Sequence, residues 1–91
     1  MYKIWYSKTY SKSIKKLVKS RVVKLSDVDV VINLIASAKL LPAKYRDHKL
    51  NGEYEGFREC HIRGNLLLVY RIYKKELVLV LIDIESHSYM F

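Results

Sequence analysis

The spacing of apolar residues changes from helical to extended about halfway along the chain. In the first half, Tyr10, Ile14, Leu17 and Val18 recur at helical spacing, and lysines occupy the positions between them. In the second half, the runs NLLLVYRIY and ELVLVLIDI are almost continuously apolar, which is typical of central strands covered by helices on at least one face. The pattern therefore predicts helices first and a sheet afterwards.

Local signals set the expected boundaries of these elements. The aromatic and β-branched run 2–6 predicts a short strand, and Ser7 after it is a typical helix N-cap. Ser26, followed by Asp29, resembles a capping box and predicts a second helix of about residues 27–39. After a strong Asn-Gly turn signal, EYEGFRECHI predicts the first of three strands that are joined by connections short enough for hairpins.

The predicted elements form a single α+β domain covering residues 1–91. Two helices with a short connection pack as an antiparallel hairpin, and strands joined by short turns pair antiparallel. We therefore expect an N-terminal strand, a two-helix antiparallel hairpin, and three antiparallel strands in one sheet, with the helices packed on one face. The other face would be free to carry chemistry. A chain of 91 residues has room for one modest core and not for two.

The charge of the chain favours a polyanionic partner. Seventeen Lys+Arg against nine Asp+Glu give a net charge of +8, which suits nucleic acid, an anionic membrane or an acidic protein. The lysines of the first predicted helix fit either a solvated surface or direct contact with such a polyanion. No apolar run approaches the roughly 20 residues that span a bilayer, so we expect a soluble protein without a membrane partner.

The single cysteine, Cys60, excludes an internal disulfide and a thiolate zinc cluster. A single cysteine without a disulfide partner in the chain fits a reducing compartment, and we expect a cytoplasmic protein. Because Cys60 lies in a predicted strand with apolar neighbours, we interpret it as a packing residue rather than a nucleophile.

Histidines, cations and aromatic rings are concentrated in residues 42–65 and in the last five residues. Imidazoles change protonation near neutral pH, cations hold phosphates, and flat rings stack on bases, so the combination suits RNA binding and proton transfer. A surface or structural role remains open for each histidine, and so does a metal site, although no HxxxH pair supports one. The candidates are His48, His61, His87, Lys44, Arg46, Arg58, Arg63 and Phe91.

Several motifs in this region occur together in one known family. The run DHKLNGEYEGFRECHIRGNLLLVYRI, with the terminal SHSYMF, resembles the RelE/YafQ-type toxins of bacterial type II toxin–antitoxin systems, and the YafQ branch in particular. The shared motifs are DH-x-L-x-G, FR-[ED]-x-H, L-L-[VI]-Y and H-x-x-x-F. They cover roughly the C-terminal half, and the N-terminal half matches in element order and basic character.

The resemblance implies a RelE-like fold and a ribosome-dependent endoribonuclease that cleaves mRNA and is inhibited by an acidic antitoxin. The ribose 2′-hydroxyl is then the nucleophile, so neither a metal nor a cofactor is expected. By position, His48, His61 and His87 match the catalytic residues, with His87 preferred as general acid and His48 or His61 as base. Phe91 would stack on or position the substrate. The cations listed above are candidates for phosphate contacts.

The chain departs from the family pattern at three positions. Asn65 replaces an acid that follows the strand-ending histidine. It is a candidate for contacting the substrate, since it can orient a group but cannot take a proton, and the base is therefore expected to be a histidine. Asp83 and Glu85 replace an arginine and a glycine near His87, and acids there would repel a phosphate. The alternative is therefore a catalytically weak or inactive homologue that binds RNA or an antitoxin. Operator DNA is expected as a partner only of the complex with the antitoxin.

Overall fold

The computed structural model describes residues 1–86 as a five-stranded sheet and two helices. In chain order the elements are β1 (Lys3–Tyr6), α1 (Lys8–Lys19), α2 (Leu25–Ala36), β2 (His48–Lys49), β3 (Arg58–Arg63), β4 (Leu66–Tyr73) and β5 (Val78–Ser86). The strand order is β1-β5-β4-β3-β2, in which β1 runs parallel to β5 and all other neighbours are antiparallel. The predicted α+β fold class is confirmed. Neither helix is long and apolar enough to cross a membrane.

Two boundaries predicted from the sequence are wrong. Helix α2 begins at Leu25 rather than at residue 27, and no side chain caps its first turn. It ends at Ala36 because Ala38 adopts a left-handed conformation, with φ at 60°, which an alanine gives no reason to expect. The strand predicted from Glu53 starts only at Arg58, because residues 52–54 form a 3₁₀ turn and Gly56 has a φ of 94°.

The core lies between the helices and one face of the sheet. Alternation along the strands turns Leu68 and Tyr70 toward the helices, where they join one buried cluster with Val28 and Ile32 of α2. Cys60 lies in the same cluster and is fully buried, and burial raises the pKa of its thiol to about 12. Its expected packing role is confirmed.

The opposite side of the sheet, which we call the open face, is less covered. Register places on it half-buried or exposed side chains from all of the long strands. They include Trp5 of β1, Glu59 and His61 of β3, Val69, Arg71 and Tyr73 of β4, and Val78 and Val80 of β5.

Helix α1 is fastened to β5 at a bulge. Pairing between β4 and β5 shifts register there, so that Ile82 has no partner on β4. The Ser7 hydroxyl donates to the Ile82 carbonyl at 2.6 Å and accepts from the Tyr10 backbone N–H at 2.9 Å. The predicted N-cap is therefore confirmed, and the same oxygen also satisfies a carbonyl of the sheet.

We predict that Ser7→Ala lowers the free energy of unfolding by about 1–3 kcal/mol, because it removes the cap and leaves the Ile82 carbonyl without its donor. Urea denaturation measures the change. Ser11→Ala is the matched control on the same helix, and we expect it to be neutral or slightly stabilising because alanine is the better helix former. Equal losses in the two variants would contradict the double role of Ser7.

The segment between α2 and β3 is held to the helix-facing side of the sheet by one carboxylate. Asp47 accepts from Nη2 of Arg58 at 2.8 Å and from the hydroxyl of Tyr70. Burial, and then the hydrogen bond to Asp47, raises the pKa of Tyr70, whereas the hydrogen bond to Asp47 is the main cause of the raised pKa of Arg58. Both donors therefore keep their protons, and the carboxylate is held from two sides.

We predict that Arg58→Gln lowers the free energy of unfolding by about 1–3 kcal/mol, because it leaves the partly buried Asp47 without its cation. The control is Arg63→Gln, which removes a 3.4 Å ion pair with Asp27 whose side chains are 76% and 40% exposed. We expect that change to cost less than about 1 kcal/mol. Chemical denaturation measures the free energy of unfolding of both variants. If Arg58→Gln costs as little as Arg63→Gln, the partly buried Asp47 carboxylate does not need Arg58 as its cation.

Candidate active site

Two of the three candidate histidines lie together on the open face. The short strand β2 pairs with β3 so that His48 is opposite Glu59, and β3 pairs with β4 so that His61 is opposite Leu67. This register brings the imidazole rings of His48 and His61 to 6.2 Å between centroids, at an interplanar angle of 41°. Two groups suited to proton transfer are thus within reach of one bound nucleotide.

Both ring nitrogens of His48 face acceptors. Nδ1 lies 2.7 Å from the carbonyl oxygen of Arg46, and Nε2 lies 3.3 Å from Oε1 of Glu59. A carbonyl and an ionised carboxylate can only accept, so both contacts are complete only when each nitrogen carries a proton. The site therefore offers an acceptor to each ring nitrogen of His48, and the Glu59 carboxylate lies beside the ring.

His61 is held differently. Its Nδ1 lies 3.5 Å from the carbonyl of Gly64, and within residues 1–86 its Nε2 makes no hydrogen bond. When Nδ1 carries the proton, Nε2 has a free lone pair and can accept one. Gly64 belongs to the turn between β3 and β4, next to the exposed Asn65. The two neighbouring imidazoles therefore differ in the hydrogen-bond partners around their Nε2 atoms.

Of the four predicted cationic residues, Arg46 is the one whose backbone contacts a histidine within residues 1–86. It is exposed, and its carbonyl oxygen lies 2.7 Å from Nδ1 of His48. Lys44 and Arg63 instead line a cavity of about 330 Å³ beside α2. The Lys44 ammonium lies 5.1 Å from the centroid of the adjacent Tyr45 ring. Arg58 is engaged with Asp47 on the helix-facing side. The phosphate contacts proposed for these residues stay predictions.

The remaining predicted site residues, His87 and Phe91, lie outside the described residues. The two acids that depart from the family pattern can both be placed. The Oδ1 atom of Asp83 accepts from the Ser13 hydroxyl at 2.7 Å and from the Ile84 backbone N–H at 2.8 Å, so this carboxylate ties α1 to β5. Glu85 pairs in register with Leu67, the residue of β4 that also pairs with His61.

Sequence reasoning missed two residues of the open face. Alternation along β3 puts Glu59 on the same face as His61, but its contact with His48 depends on the two-residue strand β2, which leaves no periodic signal. Arg71 lies inside the apolar run NLLLVYRIY, and the pattern of that run gives no sign of a functional cation. Its guanidinium lies 5.4 Å from the ring centroid of Phe57 and 4.9 Å from that of Tyr73.

Comparison with known proteins gives consistent matches over the whole fold. Residues 2–91 match the family of the bacterial toxin of type II toxin–antitoxin systems, YafQ. The mRNA interferase toxin YafQ of Escherichia coli K12 is 35% identical over 73 residues, which are 79% of this chain and 78% of the relative.

Solved structures agree. A metal-bound toxin from Helicobacter pylori is 42% identical, with full coverage of both chains and a TM-score of 0.88. The E. coli DinJ-YafQ complex contains a chain that is 26% identical, with a TM-score of 0.82 and coverage of 100% of this chain and 99% of that one. Within residues 1–86 of the present chain, no group of three or more His, Cys, Asp or Glu side chains is arranged to hold a metal. The family match and the relatives show that this chain belongs to the YafQ family of type II toxin–antitoxin toxins.

Proposed function

We propose that this toxin is an endoribonuclease that cleaves mRNA by attack of a ribose 2′-hydroxyl on the adjacent phosphate, without a metal or a cofactor. The observation that carries the proposal is the pair His48 and His61, whose rings are 6.2 Å apart on the open face and are held in complementary ways. The name of the E. coli relative, an mRNA interferase, supports the substrate class.

The contacts of the two histidines suggest their roles. Nε2 of His61 takes the proton of the 2′-hydroxyl as its oxygen attacks phosphorus. The His48 imidazolium stabilises the negative charge that builds up on the phosphorane oxygens. The bond from phosphorus to the 5′-oxygen then breaks, leaving a 2′,3′-cyclic phosphate and a 5′-hydroxyl. His87 stays the predicted acid that gives the departing oxygen its proton, and Phe91 the predicted stacking residue.

A basic surface on α1 supports a large RNA partner, and we propose that cleavage takes place on the ribosome. Lys8, Lys12, Lys15 and Lys19 recur at four-three-four spacing, so they form one exposed stripe. Within residues 1–86 none of them forms an ion pair. Like charges at this spacing destabilise an isolated helix by about 0.2–0.5 kcal/mol per pair, and a polyanion bound along the stripe would relieve that repulsion.

An acidic antitoxin completes the proposed system, consistent with the similarity to the chain in the DinJ-YafQ complex. With a net charge of +8, the toxin attracts an acidic segment that folds as it binds. We propose that this segment neutralises the predicted catalytic residues His48, His61 and His87 or displaces one of these side chains. Operator DNA would bind the complex and not the free toxin.

We predict that His61→Gln lowers mRNA cleavage by about 10²–10⁴-fold, because glutamine fills similar space but cannot act as a base. Primer extension after inducible expression in bacteria maps new transcript ends and is read together with growth. Lys75→Gln, in the exposed turn after β4, is the control and should cleave like the wild type.

Thermal unfolding of the purified proteins shows whether His61→Gln keeps the fold. A folded His61→Gln that cleaves as well as the wild type would refute the role of this residue. A wild-type protein that binds an acidic antitoxin tightly, yet leaves growth and transcripts unchanged when free, would instead support the catalytically inactive homologue.

A further inference from the structure

Arg71 is a cation held on the open face by aromatic rings. Its guanidinium lies 5.4 Å from the ring centroid of Phe57 and 4.9 Å from that of Tyr73. The backbone of Gly56 lies against the same group, since a Cβ built on that glycine would come within 3.2 Å of Cζ of Arg71. The cation is therefore positioned by packing, and both rings favour its charge.

Arg71 differs from the two arginines of β3 in having no acidic partner. Arg58 is paired with Asp47 and Arg63 with Asp27, but within residues 1–86 Arg71 forms neither an ion pair nor a hydrogen bond. A guanidinium carries five N–H donors in a planar fork that matches the oxygens of a phosphate. At Arg71 these donors are free for a ligand.

The exposed indole of Trp5 lies on the same face of the sheet as Arg71, two strands away. Val80 of β5 pairs in register with Arg71 on one side and with Trp5 of β1 on the other, so all three lie in one row of the open face. Two strand spacings separate the ends of the row, which is about 10 Å. The indole of Trp5 is 58% exposed, and Val78 and Val80 form a half-buried apolar floor next to it. A flat apolar ligand with an anionic group fits this row.

The row lies at a fixed distance from the histidine pair. Leu67, which pairs with His61, and Arg71 are four residues apart on β4 and point to the same side. At the rise of a strand this separation along β4 is ~13 Å. It is too long for a contact with the nucleotide that reacts at the histidines, and it suits a nucleotide close to it in the same RNA strand. A strand of RNA that crosses the histidines along the direction of β4 would therefore reach Arg71.

We propose that Arg71 and Trp5 form a subsite for one nucleotide of single-stranded RNA that flanks the cleaved position. The Arg71 fork binds its phosphate, and its base stacks on the indole of Trp5 over the valine floor. Phe57 and Tyr73 position the guanidinium. This inference rests on the proposed ribonuclease function. It adds the position on the open face at which a nucleotide next to the cleaved one binds.

The chemistry of the row favours RNA over an acidic peptide as its ligand. A carboxylate could also pair with Arg71, but the apolar floor and the exposed indole would gain little from acidic side chains. A nucleobase gains from both, because every base has a flat face that stacks on an aromatic ring.

The test uses a mixed-sequence, fully 2′-O-methylated single-stranded RNA, which lacks the attacking hydroxyl and cannot be cleaved. Trp5 is the only tryptophan of the chain, so quenching of its fluorescence reports stacking at this position. We expect RNA to quench Trp5 in the whole protein and Arg71→Gln to weaken binding about tenfold, measured by anisotropy of labelled RNA. Arg71→Lys should recover part of the affinity, because it keeps the charge and loses the fork.

Lys39→Gln is the matched control, because it removes one positive charge from an exposed residue that lies just after α2. We expect it to weaken binding by less than about threefold, in line with one distant charge. An otherwise identical strand without bases should bind without quenching Trp5. Thermal unfolding checks that both variants keep the fold.

Two results would overturn the subsite: an Arg71→Gln affinity equal to that of Lys39→Gln, or RNA binding that leaves Trp5 fluorescence unchanged. Polyglutamate that quenches Trp5 and displaces the RNA at lower concentration would instead make this row a docking site for an acidic peptide. These readouts need no cleavage. If transcripts are cut in a manner that depends on His61 while Arg71→Gln binds normally, only the subsite fails; if nothing is cut, the proposed function fails.

Discussion

The pairing of β4 with β3 on one side and β5 on the other determines what each face of the sheet can do. Because side chains alternate along a strand, the register that buries Leu68 and Tyr70 under the helices also puts Arg71 and Tyr73 on the open face. A slip by one residue would exchange the two sets and expose the core. Burial of apolar side chains on one face therefore sets the strand register, and the same register determines which polar side chains of the strands lie on the open face.

The contrast between His48 and His61 arises from backbone features that are themselves local. The left-handed residue Arg46 turns the chain into β2, and its carbonyl fixes Nδ1 of His48. The register shift of β3 just after His61 and the turn at Gly64 place a second carbonyl near Nδ1 of His61. Of the two, and within residues 1–86, only His48 has a carboxylate at its other nitrogen, that of Glu59. Two chemically identical side chains thus have different acceptors around them, and the different proton-transfer roles proposed for them rest on that contrast.

The sequence predicted those parts of the fold whose signals are local or periodic, including the cap at Ser7, the apolar stripe of α1 and the long strands β4 and β5. It could not predict features that depend on tertiary contacts. Ala38 ends α2 in a left-handed conformation without the glycine that usually marks one, and β2 exists because two residues find a partner edge on β3. The parallel pairing of β1 with β5 joins the two ends of the described chain and leaves no pattern in either.

The same limit applies to the candidate site. The motif resemblance pointed to His48 and His61, and the structure shows these rings as neighbours. It also pointed to Arg58, although the contact that this side chain makes is with Asp47 on the helix-facing side. Residue type alone cannot separate an arginine that holds the fold from one that is free for a ligand, because the difference lies in which carboxylates come near.

The distribution of paired and unpaired cations would link the stability of the toxin to its proposed partners. Arg58 and Arg63 are paired with acids, whereas the lysine stripe of α1 and Arg71 have no acidic partner within residues 1–86. Repulsion among unpaired cations opposes folding, and a chain selected for stability alone would place acids among them. Binding of the proposed partners, RNA or an acidic antitoxin, would relieve that repulsion. Both proposed partners would gain from the same excess charge, so an antitoxin that covers the cations of the open face would compete with the substrate without needing to fit the histidines themselves.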